Sequence, residues 1–173
     1  MKDYWLAKLI SSVTEVDSRK RLQKSVYLLQ LAGCPLRCDY ILHYYGPYSF
    51  ELAGLIDQLE GTQIIEETPE PLTQGIVRYR STVTDKGKSA LSSFEETKDG
   101  RNAIDRIKPF IHQLAKLNEV DVWILELAAT VAYFHEDDWT KARSKTAEFK
   151  HVSTTNARLK KAEELARNFK KSV

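Results

Sequence analysis

Cysteine is scarce in this chain. Of 173 residues only two are cysteines, Cys34 and Cys38. They sit four apart across Pro35 in a chain too large to need a covalent staple, which argues against a disulfide framework and fits a reducing compartment. Two thiols also fall short of a metal site. Structural zinc takes about four ligands, and only His43 lies near the pair, while His112, His135 and His151 are scattered. A radical cluster would need a third cysteine. The expectation is two small buried thiols, with no metal and no cofactor.

Long apolar runs are missing as well. The longest, Val120 to Phe134, contains Asp121 and Glu126 and is too short and too charged to cross a bilayer. The start, Met1-Lys2-Asp3-Tyr4-Trp5, lacks the apolar core of a signal peptide. These features predict a cytoplasmic protein with no membrane partner. Charge of neither sign dominates. The net charge of +2 gives no global field toward nucleic acid or membrane. The exception is local, a basic excess over residues 139–173. Catalytic signatures are absent too. There is no glycine-rich phosphate loop, no HExxH and no GxSxG. His135-Glu136-Asp137-Asp138 groups titratable side chains, but at a helix-to-helix junction where capping explains them. The chain reads as a non-enzyme. An enzyme built from distant residues, without a local signature, stands as an alternative.

What is present is helical periodicity. Trp5, Leu6, Leu9, Ile10 and Val13 make one apolar stripe, predicting a helix over 3–13. Asp17 or Ser18 can cap the next helix, whose core face is Leu22, Val26, Leu29 and Ala32, and which Gly33 ends. Tyr40 to Tyr45 suits a short strand. Gly46, Pro47 and Ser49 read as a structural turn, with Pro47 fixing the backbone and Ser49 capping a helix over 50–60. Ile64-Ile65 begins one further strand and Gly75 to Val83 makes another. Thr68 to Gln74 reads as the loop between them, because two nearby prolines deny a ladder its donors. Thr84 caps a helix through Phe94. The polar stretch Glu95 to Gly100 is the expected boundary. Beyond it the pattern is helical throughout. Pro109 is expected to kink or divide one helix, 120–134 is expected to be a buried central helix, and Trp139 to Phe149 and Leu159 to Phe169 give two amphipathic stripes.

The order helix, helix, strand, helix, hairpin is that of a winged helix. The predicted fold is mostly α: a winged-helix-like core over 1–98 with a small β-hairpin, then a helical extension over 99–173 packed on it. Winged helices commonly bind DNA, and a winged-helix transcriptional regulator is one alternative reading. Its residues argue against it. Phosphate neutralisation needs cations, whereas helix 50–60 carries Glu51, Asp57 and Glu60 and no Lys or Arg. The hairpin region adds Glu66, Glu67 and Glu70, with Arg78 and Arg80 its only cations. The other basic element, with Arg158, Lys160, Lys161, Arg167, Lys170 and Lys171, has no interleaved aromatics and reads as a solvated helix face.

Tyr40, Tyr44, Tyr45 and Tyr48 fall within nine residues. Tyrosine is enriched at interface hot spots because it buries much area with few rotatable bonds; packing between helices is the competing explanation. Tyr45, Tyr48 and Glu51 are the candidate partner-binding residues. Strand alternation predicts that at least one of His43 and Tyr44 turns inward.

Arg21-Leu22-Gln23-Lys24, Tyr27-Leu28, Tyr44-Tyr45-Gly46-Pro47-Tyr48-Ser49 and Leu55-Ile56-Asp57-Gln58-Leu59 resemble the bacterial YwgA-like proteins and the related Panacea, or SocA-like antitoxin, domain. Both share a leucine-glutamine-lysine helix followed by a Gly-Pro turn. Leu125-Glu126-Leu127-Ala128-Ala129-Thr130, Phe149-Lys150 and the helix over 162–166 are closer to the YwgA-like group. The resemblance implies a bacterial protein-interaction module, antitoxin-like or regulatory, whose partner is another protein such as a toxin. It supplies no catalytic residues.

Overall fold

The computed structural model describes residues 1–170, and these fold into eight α-helices and two small antiparallel sheets. Polar side chains start most of the helices. Ser18 accepts from the Arg21 amide at the head of α2 (Arg19–Leu31), and Ser49 accepts from Leu52 at the head of α3 (Phe50–Gly61). Thr84 and Thr97 do the same for α4 (Asp85–Glu95) and α5 (Lys98–Asn118). Asp121, Asp138 and Asn156 cap α6 (Val122–Phe134), α7 (Trp139–Phe149) and α8 (Ala157–Phe169). Each cap is worth about 1 kcal/mol, since it satisfies an amide that the helix cannot. The first helix, α1 (Lys2–Ile10), has no side-chain cap and ends three residues short of the stripe that suggested it.

The expected mostly helical layout with a small β-hairpin and C-terminal helices is realised, with differences in its strands. The strand expected at 40–45 is a hairpin, β1 (Ile41–His43) with β2 (Gly46–Tyr48). It is inserted between α2 and α3. Between α1 and α2, Val16 exchanges two 2.9 Å backbone hydrogen bonds with Ser81. Ser81 lies on β4 (Val77–Val83), the partner of β3 (Ile65–Pro71) in the second hairpin. The expected 68–74 loop is therefore too long. Pro69 and Pro71 belong to β3, opposite Tyr79 and Val77. They are tolerated because each strand of a two-stranded ribbon has a free edge. The connection shrinks to the residues around a 3₁₀ turn over Thr73–Gly75.

The C-terminal helices share one continuous apolar core with residues 1–98. Leu6, Leu22, Ile56, Ile107, Val131 and Leu159 belong to a single buried cluster. Arg21 ties the halves together. Its buried guanidinium pairs with Asp17 at 2.7 Å and donates to the carbonyls of Leu117 (3.1 Å) and Val120 (2.6 Å), closing the C-terminal end of α5. Pro109 does not divide α5, which runs unbroken with Ile107, Phe110 and Leu114 held in the core on either side of it. Gly100 is not the end of a linker. It lies in the first turn of α5, where α4 approaches so closely that a Cβ would come within 1.8 Å of the Phe94 carbonyl oxygen.

Candidate functional site

The site begins in α2. Residues 21–29 of this helix are all buried, the polar ones included. Gln23 places its amide against the backbone of Ser49: Oε1 accepts from the Ser49 N–H at 2.9 Å, and Nε2 donates to the Ser49 carbonyl at 2.8 Å. Lys24 donates to the Pro47 carbonyl at 2.6 Å. The Leu-Gln-Lys helix is thus the seat of the Gly-Pro-Tyr-Ser segment, which explains why the two motifs occur together. The opposite side of β2 meets α6. Gly46 has φ +85°, and a Cβ there would lie 2.4 Å from Thr130 Oγ1. Only glycine combines that backbone with that approach.

Held in this way, the hairpin presents aromatic side chains outward. The tight turn is Tyr44-Tyr45; Gly46 and Pro47 lie in β2, and Ser49 caps α3. The turn thus comes before the Gly-Pro pair expected to form it, because Gly46 and Pro47 can pair with His43 and Leu42 across the hairpin. Tyr44 is 75% exposed, Phe50 68%, and Ile41 and Tyr45 50% each. His43 is exposed as well. The expectation that His43 or Tyr44 turns inward is overturned, because Tyr44 sits in the turn, where pleat alternation stops. The inward member of the group is Tyr40, whose ring packs edge-on against Tyr27 at 4.9 Å. The outward rings touch one another: Tyr44 with Tyr45 at 5.0 Å, His43 with Tyr48 at 5.6 Å, and Tyr48 with Phe50 at 5.1 Å. The Tyr44–Tyr45 and Tyr48–Phe50 pairs are edge-to-face, which holds those rings in a defined orientation.

Beneath the rings lies a cavity of about 180 Å³ between α2, the hairpin and α3. Its wall combines apolar surface from Tyr48, Ala53 and Ile56 with Arg19, Lys20 and Lys24. Arg19 is fully committed, to Asp57 at 2.8 Å and to Glu67. Lys20 and Lys150 share one carboxylate, Glu126, which is only 1% exposed. Lys20 meets Glu126 Oε2 at 3.0 Å as an ion contact rather than a well-aligned hydrogen bond. The same ammonium lies 4.5 Å from the Tyr45 ring centre, a cation–π distance. Lys24 is 2% exposed, and among the described residues its one hydrogen-bond partner is the Pro47 carbonyl. Burial pushes its pKa down to about 8; Glu126 works against that, while Lys150 and Lys20 add to it.

Glu51 is exposed at the edge of the platform and paired with Lys2; that contact holds the carboxyl below its usual range and raises the ammonium. Asp57 and Glu60 both face Arg19. The acidic face of α3 is answered from within the fold. Arg78 and Arg80 bind Glu70, and Arg80 also meets Glu15 at 3.2 Å. On α8, Arg167 pairs with Glu163, and Arg158, Lys160 and Lys161 are exposed; Lys171 lies outside the described residues. Cys34 and Cys38 are free and buried, and burial pushes each thiol up to about 11.

Gln23, Lys24 and Glu126 were not singled out as site residues from the chain alone. The available signal was position: Gln23 and Lys24 sit between the core residues Leu22 and Val26, where polar side chains need a buried partner.

No family model matches the chain. It is similar to the Bacillus subtilis (strain 168) protein described as "Uncharacterized protein YwgA". The two are 30% identical over 152 residues, which cover 86% of this chain and 85% of that protein.

Proposed function

We infer that this chain, which belongs to the YwgA-like family, is a non-enzymatic protein-interaction module that docks its partner on the aromatic face of the β1–β2 hairpin. The observation that carries this is a contiguous exposed aromatic surface on a backbone that cannot move freely. Exposed apolar patches on a folded protein commonly mark interaction sites. A rigid patch loses less entropy on binding than a mobile one. Tyr44, Tyr45 and Phe50 stand out to solvent, while Gln23, Lys24 and Gly46 fix β2 and its end at Ser49, between the turn that bears the two tyrosines and the helix that begins at Phe50. The resemblance to the Panacea domain supplies the class of partner, a toxin-like or regulatory protein bound directly. The reducing environment suited to two free thiols favours a cytoplasmic setting; among the described residues no helix is long and apolar enough to cross a membrane.

The DNA alternative is not favoured. The hairpin cations Arg78 and Arg80 are already bound to Glu70 and Glu15, and freeing them for phosphate would break those pairs.

The test is comparative capture from the native host. Wild type, Tyr45→Ala and a distant control, Lys160→Ala, are used as baits, and the retained proteins are quantified by mass spectrometry. A protein held by wild type and the control but lost from Tyr45→Ala, with melting temperature unchanged, is the expected result. Identical retained sets for all three baits would remove the platform reading.

A further inference from the structure

We propose that the cavity beneath Tyr48 receives a large apolar side chain of the partner together with an adjoining carboxylate, so that the partner segment is acidic and hydrophobic. This rests on the platform reading above and specifies the chemistry of what binds there.

The cavity has the volume of roughly one large side chain. Tyr48, Ala53 and Ile56 offer apolar surface to such a group, and the cationic side chains at its wall belong to α2. Among the described residues no carboxylate lines it. The charges around it do not balance. Lys20, Lys24 and Lys150 surround a single carboxylate, Glu126, whose oxygens already face Lys20 and Lys150. Lys24 has no carboxylate in bonding contact and uses one of its three N–H donors on Pro47. An excess of buried positive charge is costly, and an incoming anion offsets part of that cost. Water normally supplies the anion's hydrogen bonds. Here a charge-assisted pair with lysine replaces them in a setting of low dielectric, where the pair is stronger than on an open surface.

The alternative occupants do less well. A neutral apolar group leaves the lysines as they are. A cation would meet the ammonium groups of Lys20 and Lys24 and the Arg19 guanidinium. A basic partner finds Glu51, Asp57 and Glu60 already paired.

The experiment uses the full chain labelled with nitrogen-15 and four capped hexapeptides. The probe is acetyl-Ser-Gly-Phe-Glu-Gly-Ser amide. Its controls replace Phe-Glu by Phe-Gln, Ala-Glu or Phe-Lys. The expected result is saturable shifts of the Tyr48, Ala53 and Ile56 amides with the Phe-Glu peptide, at a Kd of about 1 mM or tighter. Each control should bind about tenfold more weakly or worse. Lys24→Met removes the charge. Because that change also removes the Pro47 contact, Ala53→Leu serves as the second variant: it fills the cavity, keeps every lysine and suits a helix. Both should abolish the shifts. Equal binding of the Phe-Lys peptide, undiminished binding to Ala53→Leu, or no shift at these amides up to about 10 mM peptide would overturn the proposal. Failure here with Tyr45-dependent capture intact would remove the cavity reading alone. Loss of both would remove the platform as well.

Discussion

Gln23 and Ser49 exchange a donor and an acceptor each, at 2.8 and 2.9 Å, so one side-chain amide satisfies the whole peptide polar set of a buried residue. A strand neighbour would normally do this. Here a helix does it, because β2 runs against α2 rather than against another strand on that side. Replacing Gln23 by Leu keeps the volume and removes both bonds. The Ser49 N–H is then left unsatisfied, at about 1–3 kcal/mol, while the Ser49 carbonyl keeps the Ala53 N–H at 3.1 Å. Gln23→Leu is expected to lower unfolding stability by about 1–3 kcal/mol in a urea titration. A loss below about 1 kcal/mol would mean that water or a shifted backbone replaces the clamp.

Lys24 gives the second prediction. Its pKa falls from 10.5 to about 8 in the fold, chiefly through burial. A depressed lysine pKa means that the folded state releases its proton before the unfolded chain does. Between pH 8 and 10.5 the unfolded state therefore binds more protons, and this group's contribution to stability rises with pH. Below pH 8 both states are protonated and the burial penalty is fully present. The span is worth up to about 3 kcal/mol. The raised thiol pKa values of Cys34 and Cys38 act in the opposite direction above pH 9, so wild type must be compared with Lys24→Met at each pH. The stability difference, wild type minus variant, should move in favour of wild type by about 2 kcal/mol between pH 7.5 and 10. A flat difference would show that Lys24 keeps an ordinary pKa.

Much of this was legible from local chemistry. Seven helices start at polar side chains that cap them, and caps are written in single residues. The stripes that defined α5, α7 and α8 are periodic for the same reason. What escaped is non-local. Pro69 and Pro71 read as loop because a single sequence does not reveal that their strand has a free edge. Gly100 reads as a linker stop, yet its role comes from the distance between two helices. The candidate aromatic surface was readable from the tyrosine cluster, but the clamp beneath it was not. Gln23 and Lys24 look like ordinary helix-surface residues until β2 is laid across them. Glu126 looked like a stray charge in an apolar run; in the fold it is the shared partner of Lys20 and Lys150.

The tyrosines divide by what they touch, which makes the final prediction two-sided. Tyr44 and Tyr45 project into solvent from the turn, and they touch mainly each other and Lys20. Removing either ring exposes no core and breaks no buried hydrogen bond. Tyr44→Ala and Tyr45→Ala are expected to change stability by no more than about 0.5 kcal/mol. Tyr40 is different. It packs on Tyr27, and its hydroxyl donates to the Gln23 carbonyl at 3.3 Å. Tyr40→Ala should cost about 3 kcal/mol or more, as large-to-small changes at packed aromatics do. For binding the order reverses. Against a partner identified by capture, Tyr45→Ala should lose about 2 kcal/mol of affinity while keeping its melting temperature. Tyr40→Phe, which keeps the ring and drops only the hydroxyl, should bind normally. Calorimetric titration and thermal melts on these four variants separate the two roles. If Tyr45→Ala binds as well as wild type, or weakens binding only in step with unfolding, the exposed rings are not the docking surface.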